Sequence, residues 1–164
     1  HRDLHSFPTR RSSDLTAALE HITAIPAHRL LSNPKWSQKM RPEVRVLWLW
    51  HAIEEIEHKA VAFDVFEQVS GDYKMRTRSL FYATIYLAAY TSRYTWAFLK
   101  KDKAYRRPIA LTKGFWNLLG PRGFVTTSIP SYLSFYRPNF HPWQHDNSAL
   151  IAAAKQELEQ LSHE

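Results

Sequence analysis

One long stretch that contains neither glycine nor an internal proline constrains the fold of this chain more than any other feature. It begins at Pro42, a residue well suited to the first position of a helix, and ends before Gly71. Apolar residues recur with helical periodicity from Glu43 to Val69, which predicts a helix of about 27 residues, roughly 40 Å long. The chain has only four glycines and shows no useful β alternation, so we predict an all-α fold.

Five further helices are predicted from similar signals. Their ranges are 16–31, in which Pro26 is a potential kink, 73–100, 108–119, a short helix around Pro130, and 146–161. Prolines and glycines at the ends of these ranges mark most of the boundaries. Asp146 is the predicted N-cap of the last helix.

A carboxylate and two imidazoles share one face of the long helix. His51, Glu55 and His58 follow one another at i, i+4 and i+7 and continue an apolar stripe from the first turns. The stripe predicts that these side chains point toward the core, where a metal ion would satisfy both kinds of group. Glu55 and His58 form a Glu-x-x-His pair, the spacing that ferritin-like bundles use for two metal ligands, and Glu20 on the preceding helix is the candidate for a further ligand.

The same helix allows a plainer interpretation. Glu-x-x-His pairs occur often by chance on solvated helix faces, and Glu54 and Glu57 would then be solvated or paired with Lys59 and Arg45. Asp64 either orients a ligand histidine, as metal sites usually require, or is a surface acid.

The motif His-Pro-Trp-x-His-Asp near the end of the chain is a second candidate site. His141, His145 and Asp146 could bind a metal or act as acid and base. Pro142 prevents an ordinary helical face, so the default interpretation is packing of Trp143 and capping by Asp146.

Three runs of sequence together resemble a single bacterial family. The runs are WHAIEEIEHKAVAFDVF, TAALEHITA and SYLSFYRPNFHPWQHDNSALI. They are similar to the predicted metal-dependent hydrolases over essentially all of residues 16–161. The resemblance implies a ferritin-like helical bundle in which Glu20, Glu55 and His58 are metal ligands. It also implies an upstream half with another Glu and another Glu-x-x-His, and two divalent ions (iron, manganese or zinc) in the intact protein.

Residues 1–15, HRDLHSFPTRRSSDL, resemble the in-frame translation of a common short-read sequencing adapter. We therefore predict that residues 1–15 are non-native and that residues 16–164 form a partial domain whose first helices are missing. This chain would then carry half a metal site and have little activity alone. A homodimer could pair two half-sites.

Charge is concentrated in the middle of the chain, where residues 71–145 carry 12 basic and 2 acidic side chains. The same region holds a tyrosine series at Tyr82, Tyr86, Tyr90 and Tyr94. Residues 79–92 carry no charge, and this run of fourteen residues is shorter than the roughly 17–25 residues that a spanning helix needs. Three interpretations are open: a core helix beside a solvated basic loop, an interfacial helix on anionic lipid, and nucleic-acid binding without a recognised motif. We expect a cytoplasmic protein with possible peripheral contact with an anionic membrane and no specific nucleic-acid partner.

The resemblance implies a metal-dependent hydrolase that acts on a small-molecule ester, amide or phosphoester through a metal-bound water. Any metal must be held by carboxylate and imidazole, because the chain has no cysteine. Supporting roles fall to His51 or Asp64. Two alternatives remain: a di-iron oxidase or oxygenase, and a non-catalytic helical module that binds a membrane surface or a protein partner.

Overall fold

The computed structural model describes the backbone of residues 9–162 and the side chains of residues 13–161. This part of the chain is helical and contains no strand. The helices are α1 (Thr9–Ser32), α2 (Pro34–Ser37), α3 (Pro42–Val69), α4 (Tyr73–Lys101), α5 (Pro108–Leu119), α6 (Phe124–Ser134) and α7 (Ser148–Ser162). Short 3-10 turns lie at Ala104–Arg106 and Pro142–Gln144. The predicted all-α fold is confirmed.

The local signals in the sequence coincide with the ends of these helices. Pro42 occupies the first turn of α3, and Gly71, with a φ of 60°, follows its last turn. Asp72 caps α4 by accepting a hydrogen bond from the Met75 amide at 2.8 Å. Pro26 lies inside α1, which continues through it.

The first helix begins earlier than expected, at Thr9 rather than near residue 16. Asp14, within the segment interpreted as adapter-derived, is buried and accepts a hydrogen bond from Ser79. Residues 1–8 of that segment lie outside the described part of the chain. The non-native origin of residues 1–15 stays a prediction.

Helices α1 and α3 run antiparallel and form the centre of the bundle. At one end Ala27 and Leu30 of α1 pack on Ala52 and Ile56 of α3. At the other end Ala18 and Phe63 pack with residues of α4 and of the segment from α6 to the following turn: Leu80, Ala83, Phe135 and Phe140. The antiparallel packing places the middle of α1 beside the middle of α3.

A buried arginine ties α4 to this aromatic cluster. The guanidinium of Arg76 lies 5.6 Å from the ring centroid of Phe63 and 5.5 Å from that of Phe135. It also donates a hydrogen bond of 2.6 Å to the carbonyl oxygen of Arg137. The N-terminal half of α4 is therefore fixed to the core.

The C-terminal half of α4, the turn after it and α5 form a region that we call the aromatic arm, residues 85–119. No residue of α5 is buried, and Tyr86 and Trp116 are each 67% exposed. The interpretation as a core helix therefore holds for the N-terminal half of α4, where Arg76, Ser79, Leu80 and Ala83 are buried, and not for residues 85–101, none of which is buried. No helix in the described part of the chain is sufficiently long and apolar to cross a membrane.

Candidate metal centre

The seam between α1 and α3 brings the predicted ligands into one neighbourhood. Glu20 comes from α1, and His51, Glu55 and His58 come from consecutive turns of α3. Burial and the negative charge of Glu55 raise the pKa of Glu20, while the imidazoles of His58 and His51 act in the opposite direction. All four groups are therefore within electrostatic range of one another across the seam.

Contacts along α3 orient the two histidines. His51 Nε2 lies 3.5 Å from Glu55 Oε1, and His58 Nε2 lies 3.5 Å from Glu54 Oε2, both at i, i+4 spacing. The side chain of Glu55 is only 20% exposed, whereas those of His51 and His58 are 48% and 59% exposed. Glu54, expected to be solvated or to pair with Lys59 or Arg45, is instead the partner of His58.

Two hollows along the same seam flank these residues. One, of about 490 Å³, is lined by Glu20 and His58 together with Val61 and Val65. The other, of about 340 Å³, is lined by His51 and Glu55 together with Trp48 and Leu30. Glu20 and His58 thus line one hollow of this open groove and Glu55 lines the other, and both hollows have apolar walls.

The prediction that this stripe of α3 points into the core is wrong. Leu47 is 59% exposed and Trp48 is 47% exposed, and the stripe continues into the exposed Val65. The buried stripe is a neighbouring one, formed by Leu49, Ala52, Ile53, Ile56, Ala60, Phe63 and Phe66. The candidate site therefore faces the open side of α3, beside the core.

One atom in the groove lacks a partner that its burial demands. Oε2 of Glu20 is buried and finds no hydrogen-bond partner among the described residues. A buried carboxylate oxygen without a partner is costly, and a cation would satisfy it. No three His, Asp or Glu side chains of the described residues are close enough together to hold a metal ion as they stand. The carboxylate and imidazole groups are suitable ligands for a divalent ion, but the described residues do not complete its coordination.

The pair Asp64 and His141 lies outside this group. Asp64 Oδ1 is 2.9 Å from His141 Nε2, and the His141 ring packs at 5.3 Å against Phe63. Nδ1 of His141 accepts a hydrogen bond from the Trp143 amide. Asp64 thus positions a histidine, as one interpretation expected, but this histidine comes from the His-Pro-Trp motif and not from α3.

The rest of that motif has structural partners. His145 Nε2 lies 3.1 Å from the Ser134 hydroxyl, and Asp146 accepts a hydrogen bond of 2.9 Å from the Ser148 amide. That bond lowers the pKa of Asp146 and ties it to the start of α7, two residues after the expected N-cap. Trp143 is 59% exposed, so its expected packing role is wrong.

Sequence reasoning missed two buried titratable residues next to the candidate ligands. Lys59 is 6% exposed and His21 is 7% exposed. Burial lowers the pKa of Lys59, and it lowers the pKa of His21 to about 4. A signal for Lys59 was present, because it follows Ile56 and precedes Ala60 on the buried stripe.

Replacing Glu20 by Gln should stabilise the metal-free chain at neutral pH. Because the pKa of Glu20 is raised on folding, its contribution to folding stability is fully present below about pH 4.5. That contribution is lost as the carboxyl ionises at higher pH. We expect E20Q to raise the free energy of unfolding by less than about 1 kcal/mol at pH 7, since the Glu20 side chain is partly solvated. At pH 4 we expect no change in the free energy of unfolding. Urea denaturation with a chelator at both pH values measures this.

The control for that comparison is Glu43→Gln, which alters an exposed acid in the first turn of α3. An acid there is favourable beside the helix N-terminus, so E43Q should gain nothing at pH 7. Two results would contradict the burial of the Glu20 charge: an equal increase in the free energy of unfolding in E20Q and E43Q, or an increase in E20Q that is as large at pH 4 as at pH 7.

Comparison with known protein families gives a match that covers most of the chain. A family model described as "Predicted metal-dependent hydrolase" matches residues 2–146. No curated protein matches the chain, and neither does any solved structure.

Proposed function

The chain belongs to the family of predicted metal-dependent hydrolases, and on that basis we propose that Glu20, Glu55 and His58 are ligands of its metal centre. The observation that supports this most is the buried Oε2 of Glu20, which has no hydrogen-bond partner among the described residues and lies within electrostatic range of Glu55 and His58. The ferritin-like character of the bundle and the presence of two ions are part of the same proposal.

Each residue of the seam has a distinct task in this proposal. Glu20 and Glu55 supply carboxylate oxygens, and His58 supplies an imidazole nitrogen. His51 holds Glu55 in place, and Glu54 does the same for His58. A divalent ion (iron, manganese or zinc) would polarise the substrate and lower the pKa of a bound water, which is the chemistry of ester, amide or phosphoester hydrolysis. The apolar walls of the groove would limit access of bulk water.

The remaining ligands would come from helices that cover the open face of α3. A helix that is apolar all round is normally buried, and here the face beside the ligands is exposed at Leu47, Trp48, Trp50, Val61, Val65 and Val69. We propose that an upstream segment with another Glu and another Glu-x-x-His covers it. We call this chain together with that upstream segment the full-length protein.

The experiment that tests the function is a chelation and reconstitution assay on the full-length protein. We expect hydrolysis of p-nitrophenyl acetate or p-nitrophenyl phosphate to be lost with a chelator and restored by one of zinc, manganese or iron. Oxygen consumption by the iron-loaded protein, without metal-dependent hydrolysis, would instead support a di-iron oxidase or oxygenase. Hydrolysis that survives complete metal removal would contradict the proposal.

A second candidate function, attachment to an anionic membrane, is favoured by the aromatic arm. The arm carries seven basic residues and one acidic residue, and its rings are exposed at Tyr86, Tyr90, Tyr94, Trp96, Phe98, Tyr105, Phe115 and Trp116. Lys100 lies over the Trp96 ring at 5.4 Å, and Arg106 over the Tyr105 ring at 5.7 Å. Aromatic rings mixed with cations suit the headgroup layer of an anionic bilayer, so we propose that the arm docks there.

Reversing two charges of the arm should weaken binding to vesicles. In co-sedimentation with phosphatidylglycerol vesicles, we expect Arg106→Glu/Arg107→Glu to reduce affinity at least tenfold, since each cation near such a surface contributes about 1 kcal/mol. The matched control is Lys35→Glu/Lys39→Glu, which reverses two exposed charges elsewhere and should bind like the wild type. Binding that is insensitive to salt or equal in both double variants would contradict lipid docking, as would binding to RNA or DNA but not to vesicles.

A further inference from the structure

A further cavity, with a mixed polar and apolar lining, lies on a different side of α1 from the metal centre. Its volume is about 80 Å³, several times the roughly 10–15 Å³ that one water needs. Residues of α1, α3, α6 and the segment before α7 line it, so four separate parts of the chain converge on it. Glu20 and His21 are neighbours on α1, about 100° apart around the helix, and only His21 faces this cavity.

All the ionisable side chains among the described residues that line the cavity are basic. Arg29 and Lys59 supply cationic groups, and His21, His28 and His145 supply imidazoles. Neither Asp nor Glu is among the described residues that line it. The nearby acid Asp146 interacts with Lys59 at a distance, but it is exposed and bonded to the Ser148 amide. An arginine and a lysine repel a metal ion, so the three imidazoles do not form a metal site.

Donors in the cavity are only partly used by the protein. Nζ of Lys59 donates one hydrogen bond of 2.9 Å to the His145 carbonyl oxygen, and an ammonium group has three donors. Arg29 donates to the Thr127 hydroxyl with one of its nitrogens, and a guanidinium has five N–H donors. Nε2 of His21 is buried and finds no partner among the described residues.

We propose that this cavity binds a small oxyanion, a phosphate or a carboxylate group. Such a group carries several acceptor oxygens in a space of this size, and it would take up the donors of Arg29 and Lys59 at once. The hydroxyl of Ser131 lies on the same wall and provides a further donor, whereas the hydroxyls of Thr127 and Ser128 donate to the carbonyl oxygens of Gly123 and Phe124. The proposal rests on the lining of this cavity and is independent of the metal centre.

The test is isothermal titration of this chain with inorganic phosphate and, separately, with acetate, at constant ionic strength. We expect saturable binding of one of them, and the two arms identify which oxyanion fits. Arg29→Gln and Lys59→Met should each weaken binding at least tenfold. Lys155→Met, which removes an exposed lysine paired with Glu57, should leave it unchanged. Circular dichroism verifies folding, and Arg29→Gln keeps the test valid if Lys59→Met does not fold.

A spectroscopic readout locates the anion independently of affinity. The ring resonances of His21 should shift on addition of the anion that binds, and this shift should disappear in Arg29→Gln. Lack of saturable binding of both anions by the wild type would overturn the proposal. Equal affinity in the wild type, Arg29→Gln, Lys59→Met and Lys155→Met would overturn it as well.

Discussion

Replacing Glu55 by Ala in the full-length protein is expected to reduce kcat/KM for metal-dependent hydrolysis by at least about 100-fold. Loss of a residue that merely supports a ligand typically costs 10–100-fold, and loss of a ligand should cost at least as much. Glu55 is the least exposed member of the group on α3, and its charge acts directly on Glu20. His58→Ala should have an effect of similar size, measured with the same substrate and metal.

Two neighbouring residues provide graded controls for that result. His51→Ala should reduce kcat/KM only about tenfold, because His51 contacts Glu55 and is assigned a supporting role. Glu57→Ala should leave kcat/KM close to that of the wild type, since Glu57 is paired with Lys155 of α7, 2.8 Å away. Full activity in both Glu55→Ala and His58→Ala would contradict the ligand assignment. So would an equal loss in Glu57→Ala, because it would indicate a general structural effect.

Phe63→Ala is expected to cost about 3–5 kcal/mol of folding stability in this chain. The Phe63 side chain is 2% exposed, and its ring lies 6.2 Å from Phe135 and 5.6 Å from Phe140, with the Arg76 guanidinium against it. Truncation leaves a cavity where three parts of the chain meet, and it removes a partner of a buried cation. Typical domains are stable by only about 5–15 kcal/mol, so urea denaturation will detect the loss easily.

Val61→Ala is the matched control, because it lies two residues away on the open face of α3 and is 61% exposed. In this chain we expect a change within about 0.5 kcal/mol. In the full-length protein, where the proposed upstream helices cover that face, it should cost more than about 1 kcal/mol. A small effect of Phe63→Ala would contradict the described core, and a small effect of Val61→Ala in both proteins would contradict the proposed cover.

The helices could be predicted from the sequence because their boundaries depend on local chemistry. Pro42 and Gly71 bracket α3, and Pro108 and Gly120 bracket α5, in agreement with the structure. A proline lacks the backbone N–H that a preceding turn of helix would need, and a glycine leaves a helix easily, so both act on their immediate neighbours and no knowledge of distant contacts is needed. The early start of α1 could not be predicted in this way, because residues 9–15 are interpreted as non-native from the sequence.

The buried face of α3 could not be predicted from local chemistry either. Both stripes begin with apolar residues, Leu47 and Trp48 on one and Leu49 and Ile53 on the other, so periodicity in the first turns does not say which one the chain covers. Burial of the second stripe depends on α1 and on residues from α6 onward, far away in sequence. For the same reason the pairing of Asp64 with His141, 77 residues apart, had no local signal.

The grouping of Glu20 with Glu55 and His58 had a sequence basis that the buried face lacked. The Glu-x-x-His spacing places two side chains on one turn, and the antiparallel α1–α3 pair places Glu20 beside them. The cavity proposed to bind an oxyanion could not be predicted from the sequence. Its residues Arg29, Lys59 and His145 belong to three segments that only the folded chain brings together. Ligation of metal by the first group stays a prediction.

Elemental analysis of the purified full-length protein tests that central claim most directly. We expect about two divalent ions per chain in the wild type, and a clear loss of bound metal in the triple variant Glu20→Ala/Glu55→Ala/His58→Ala with unchanged circular dichroism. A triple variant that is folded and carries as much metal as the wild type would contradict the account.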